Sequence, residues 1–231
     1  QRISSLTLAE FRRMADLSYS FLDFLALLGH DSVLLDWFRF RSQVVNEHMR
    51  YLTQAVHEVA GDACPVDSHL FPPTIAFLSG QDLPRWEKTV DRLTPGWGSV
   101  VGWSESQINS FAVWARKLCQ HLDGLEEPSA LDVIYRFFGY DELPMPTSLD
   151  QLEQGQVPRA EVLSLEIRKA ARLFSGRTPF LPPFPLRNLS VEGLRQVGET
   201  IKAVGAAGFI ISGDPNSATD EALHTMRSAV D

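Results

Sequence analysis

Cysteine is nearly missing from this chain. Cys64 and Cys119 are its two thiols. They lie far apart in sequence with no metal-ligand spacing, so no cysteine-based zinc or iron–sulfur motif is read. Two buried thiols are the simple expectation, because free cysteine behaves as a small hydrophobe; a disulfide between them stays open. Positive charge is also in deficit, with 21 Lys and Arg against 29 Asp and Glu, a net charge of -8 and a pI near 5.3. Binding a nucleic-acid backbone needs a basic face, so no nucleic-acid partner is expected. No apolar run approaches the roughly 18 residues of a membrane span. The expectation is therefore a cytoplasmic protein without a membrane partner. Gly-x-Ser-x-Gly, His-Glu-x-x-His, phosphate-loop and dinucleotide patterns are all lacking, and no cofactor or metal is implied. The chain opens Gln1-Arg2-Ile3, with neither an initiator Met nor a signal pattern, and reads as part of something longer.

What the sequence does contain is enough apolar material, 44% of 231 residues, for a sizeable core in a single domain spanning residues 1–231. Helical periodicity is pervasive. Thr7 and Glu10 form a capping box for a helix over residues 5–28. Asp31 caps a longer helix reaching Ala60, with Trp37, Phe38, Val45, Met49, Leu52, Val56 and Val59 forming its apolar stripe. Further helices are expected at residues 74–78, from a Ser104 cap to Leu122, over 129–138, from Pro158 to Phe174, from a Ser190 cap to Val204, and beyond a Thr219 cap. Between them lie four short apolar runs, at Val66–Phe71, Val90–Pro95, Pro179–Phe184 and Gly208–Asp214. Strands alternating with helices pair in parallel, because a parallel crossover needs a dozen or more residues. The third run is rich in proline, which cannot donate to a sheet ladder. Either its strand is only Phe180-Leu181 with a stiff exit, or it forms no strand.

The order of these elements, with His69-Leu70-Phe71-Pro72-Pro73, Asp91-Arg92-Leu93-Thr94-Pro95 and Gly208-Phe209-Ile210-Ile211-Ser212, resembles the C-terminal half of a TIM-barrel glycoside hydrolase of the clan-A, family-10-like or family-42-like group. Trp37-Phe38-Arg39-Phe40-Arg41 is similar to the helix before the fifth barrel strand there. Val90–Pro95 resembles the sixth strand and Ala207–Asp214 the eighth. The resemblance runs from about Leu35 onward. It implies an α/β fold, a partial (β/α)8 barrel of about four parallel strands with amphipathic helices, whose site lies at the strand carboxyl ends. Two departures stand out. The clan's acid/base Glu belongs to a fourth strand that this chain lacks. The nucleophile Glu belongs after the seventh, where residues 180–188 contain no carboxylate.

Candidate site residues follow from strand alternation. Asp67 and His69 share one face of the first run, where a carboxylate beside an imidazole holds its tautomer and raises its basicity; a satisfied core pair is the structural alternative. Asp214 ends the fourth run, either as a sugar-binding or basic carboxylate or as an ordinary turn former. Hydrolysis of a glycoside needs two carboxyl groups across the scissile bond, and Asp67 with Asp214 is the internal pair available. Trp97 and Trp103 flank a glycine-rich exit suited to stacking on sugar rings, or else cap the core edge. Arg187 and Asn188 would hydrogen-bond an anionic or hydroxylated ligand, although Asn188 also suits the start of a helix. The leading expectation is a glycosidase-like barrel with a carbohydrate ligand. The competing class is a non-catalytic half-barrel for binding or assembly, completed by a second copy or by a missing N-terminal half.

Overall fold

A computed structural model describes residues 32–61, 63–95, 100–186, 189–212, 216 and 218–228, with backbone alone at 32, 34 and 100–109. The helix expected over residues 5–28 lies outside these. The chain divides into two compact units, Gln1–Leu34 with Ser104–Pro158 and Leu35–Trp103 with Arg159–Asp231. The architecture is mixed α/β, mostly helical, with four short parallel strands among the described residues.

Its elements are α1 (Ser32–Ala60), β1 (Asp67–Leu70), α2 (Pro73–Ser79), α3 (Leu83–Trp86), β2 (Arg92–Pro95), α4 (Val100–His121), α5 (Glu127–Phe138), α6 (Leu149–Glu153), α7 (Arg159–Leu173), β3 (Pro183–Pro185), α8 (Val191–Ala203), β4 (Ile210–Ser212) and α9 (Asp220–Ser228). The expected caps hold at two starts: Ser190 Oγ accepts from Gly193 N at 3.1 Å and Thr219 Oγ1 from Ala222 N at 3.1 Å. Each satisfies an N–H that the first helical turn leaves unpaired. The Ser104 cap does not hold, because α4 already begins at Val100.

In the strand-bearing unit, β1 and β2 run parallel with Asp67 opposite Arg92, Ser68 opposite Leu93, His69 opposite Thr94 and Leu70 opposite Pro95. β3 and β4 run parallel with Phe184 opposite Ile211. One bridge joins the two pairs, Leu93 opposite Phe180. Leu93 N donates to Pro179 O at 2.8 Å and Leu181 N to Leu93 O at 2.9 Å. Both readings of the proline-rich run thus contain part of the answer: Phe180-Leu181 joins the ladder, and the strand proper follows at Pro183–Pro185. Alternation explains why the prolines are tolerated. Leu181 turns its N–H toward β2, so Pro183 and Pro185 turn their donorless nitrogens the same way. At that height the described part of β2 offers Pro95, which likewise carries no N–H. Leu186, on the opposite phase, donates to Ser212 O at 3.0 Å.

Helices α7 and α8 supply most of the apolar cover. Leu163, Ile167, Leu194 and Val197 are at most 2% exposed and join Leu93 and Phe184 in one core. Each such side chain contributes about 1.5–3 kcal/mol through burial. Gly193 lets the helices approach closely, since a Cβ there would stand 3.2 Å from Ala160 Cβ.

Helix α1 departs from its sequence pattern. Its buried residues are Ser42, Asn46 and Thr53, with Val45 and Met49 partly buried, while Trp37, Phe40, Val44, Tyr51 and Val59 are exposed. Polar contacts decide its orientation. Arg41 donates to Leu78 O at 2.6 Å, Ser42 to Gly80 O at 3.3 Å, and Asn46 to Ser42 O at 2.7 Å.

The other unit is built around aromatic side chains. Phe111 packs on Phe138 at 4.9 Å, on Tyr140 at 6.0 Å and on Tyr135 at 6.2 Å. Tyr135 donates its buried phenol to Pro146 O at 2.9 Å, and burial pushes that phenol's pKa up. The thiols differ from expectation: both are free, but Cys64 is exposed and only Cys119 is partly buried.

Gly80 closes α2 at φ +91°, where a Cβ would meet Val45 Cγ2 at 3.0 Å and Arg41 Cγ at 3.1 Å. Gly80→Ala is expected to lower stability by more than about 1 kcal/mol, through the left-handed backbone and the lost fit of α1. Urea unfolding compared with wild type measures it.

Candidate functional site

At the carboxyl rim of the strands, sequence alternation places the side chains as expected. Ser68 and Leu70 are buried, whereas Asp67 and His69 are exposed. Asp67 is the first residue of β1, however, at the end remote from the strand's exit. It faces Arg92 at 3.8 Å, each side chain 47% exposed. Such an open pair contributes less than about 1 kcal/mol. His69 lies nearer the exit. Beside it, Gln81 accepts from Phe71 N at 2.7 Å and donates to His69 O at 3.1 Å, fixing the chain as it leaves β1. At the end of β4, the Ser212 hydroxyl is buried without a hydrogen-bond partner. Asp214, Trp97, Arg187 and Asn188 lie outside the described residues. Trp103 is described as backbone of α4 only.

Behind this rim lies a buried acid that the sequence reading passed over. Glu166, on α7 and 0% exposed, accepts from Thr74 N at 3.0 Å and from Thr74 Oγ1. Lys169 Nζ stands 3.2 Å from Glu166 and 2.7 Å from Thr74 Oγ1. The network ties the start of α2, and with it the exit of β1, to α7. Breaking one partner of a buried charge pair is costly, so this carboxylate acts as a fastening.

The amino rim holds two further carboxylates. Glu87 is 3% exposed. It accepts from Ser175 N and Ser175 Oγ at 2.8 Å each, from Arg177 N at 3.0 Å and from Thr178 N at 3.4 Å. Burial is the largest single influence and raises its pKa. The four donors together outweigh burial and hold the carboxyl below its ordinary value. Asp91 accepts from Val66 N at 2.7 Å and faces His57 Nε2 at 2.8 Å. The Val66 N–H is the chief cause of its lowered pKa; burial opposes this and His57 assists it. A cleft of about 570 Å³ opens beside this pair, between α1 and residues 88–91. No spacing rule connects His57 with Asp91, or Glu87 with residues 175–178, so pattern reading had no purchase on either contact.

Among the described residues, no group of three or more His, Cys, Asp or Glu side chains is placed to hold a metal ion. No described helix is long and apolar enough to cross a membrane. No protein-family model, curated protein or solved structure matches the chain.

Glu87→Gln puts an amide N–H where backbone donors converge, and is expected to cost about 2–3 kcal/mol at neutral pH. Because the folded pKa is lowered, the charge contributes fully above the ordinary carboxylate range near about 4.3. Its contribution is lost as pH falls through the folded pKa. Chemical denaturation of both proteins across pH 3–7 should show the gap closing toward acid.

Proposed function

We propose that the chain forms part of an α/β barrel that binds a carbohydrate at the carboxyl ends of its strands, acting through binding or assembly rather than hydrolysis. One observation carries the reading: the parallel strands lie side by side in chain order, β1 next to β2, β2 bridged to the Phe180 segment, and β3 next to β4. A barrel keeps chain neighbours adjacent, whereas a doubly wound sheet reverses its order at a switch point. The four strands among the described residues do not close a barrel, so the reading includes completion by a second copy. His69 and the unpartnered Ser212 hydroxyl support a hydroxyl-rich ligand, because both reach the rim with hydrogen-bonding capacity unspent. Trp97, Trp103, Arg187, Asn188 and Asp214 complete the proposed ligand set.

Binding is favoured over hydrolysis by the place of Asp67. As the first residue of β1, at the end remote from the strand's exit and paired with Arg92, it lies away from the carboxyl rim where the proposed ligand binds. Retention needs carboxyl groups about 5–5.5 Å apart and inversion about 6.5–9.5 Å.

Oligosaccharide titration followed by fluorescence should show saturable binding that weakens at least about fivefold in His69→Ala, with no release of reducing sugar. Hydrolysis abolished by Asp214→Asn would favour the glycosidase instead. Light scattering should report a species larger than one chain if a second copy closes the barrel. A strict monomer without sugar affinity would refute the proposal.

A further inference from the structure

We propose that the amino-rim cleft between the second half of α1 and residues 88–91 binds a phosphoryl group, independently of the carbohydrate reading. Three observations converge there. First, the Thr53 hydroxyl lines the cleft, is nine-tenths buried and has no hydrogen-bond partner. A helical threonine commonly returns its hydroxyl to the carbonyl four residues back. Thr53 does not, so it retains a donor and lone pairs for something else, and an unsatisfied buried polar group is costly to keep.

Second, the charges in the cleft are unevenly spent. Its acids already have donors: Asp91 takes Val66 N and His57, and Glu58 takes Gln54 Nε2 at 2.8 Å. Its cations do not have acceptors. Arg50 and Lys88 line the same cleft, and their side chains make no hydrogen bond or ion pair among the described residues. Third, the space of about 570 Å³ exceeds what one phosphate needs and falls in the range of small-ligand sites. A tetrahedral dianion with several acceptor oxygens can engage an Arg, a Lys and a hydroxyl from different directions at once. A flat, singly charged carboxylate meets them less completely.

The phosphoryl group could belong to free phosphate or to a phosphate monoester, and titration separates the two. Calorimetry would use inorganic phosphate, glucose 6-phosphate, glucose and chloride at matched ionic strength. Saturable binding of inorganic phosphate is expected, with glucose and chloride silent. Tighter binding of the ester would identify a phosphorylated metabolite, and equal binding would identify phosphate itself. Lys88→Gln and Thr53→Val should each weaken binding about tenfold, and Thr53→Ser should restore it. Thr53→Val removes only an unpartnered hydroxyl, so its unfolding midpoint should match or exceed wild type. Affinity unchanged in both Lys88→Gln and Thr53→Val would overturn the assignment. So would heat that tracks ionic strength regardless of the anion.

Discussion

The strand-bearing unit hangs on one buried carboxylate. Glu87 follows α3 and shortly precedes β2, yet its acceptors are filled by Ser175, Arg177 and Thr178, which lead into the Phe180 segment. It therefore delivers that segment to the flank of β2, where Leu93 and Phe180 form the one bridge between the two strand pairs among the described residues. Burying a charge is unfavourable unless it is fully hydrogen-bonded. Here that requirement becomes a positional constraint: the connection after α7 must take one conformation or leave an acid uncompensated. Glu166 repeats the logic at the opposite rim, where it fixes the exit of β1 through Thr74. Two acids on different elements thus hold both ends of a sheet whose strands are only three or four residues long.

Much of this architecture was legible in the residues. Parallel pairing followed from apolar runs separated by helical stretches. The caps at Ser190 and Thr219 and the end of α1 at Ala60 followed from local chemistry. What resisted reading was long-range. In α1 the apolar stripe suggested a buried side holding Trp37 and Val59, but hydrogen bonds from Arg41 and Ser42 to the end of α2 turn a partly polar side inward. Periodicity measures how apolar a side is and carries no information about which carbonyls wait opposite it. The proline-rich run was ambiguous for a related reason. Whether a missing donor matters depends on what the neighbouring strand sets opposite it.

The site was less legible than the fold. Alternation correctly set Asp67 and His69 apart from Ser68 and Leu70. It could not show that Asp67 sits at the entrance of its strand, with Arg92 as its cross-strand partner. The groups with shifted titration at the amino rim, Glu87 and Asp91, gain their character from backbone N–H groups distant in sequence. Every residue type except proline supplies a backbone donor, so composition leaves no trace of such a contact.

The prolines of β3 carry a consequence for self-association. Short parallel ladders with ragged ends ordinarily invite a stray strand to continue the pairing, which is how ordered aggregates begin. Pro183 and Pro185 set ring carbons in place of N–H groups, and both are buried. A segment that reached this seam through local opening would find carbonyls there and no alternating donors, so it could not lay down a continuous ladder. The residues that make this run hard to recognise as a strand also discourage templated growth at that seam.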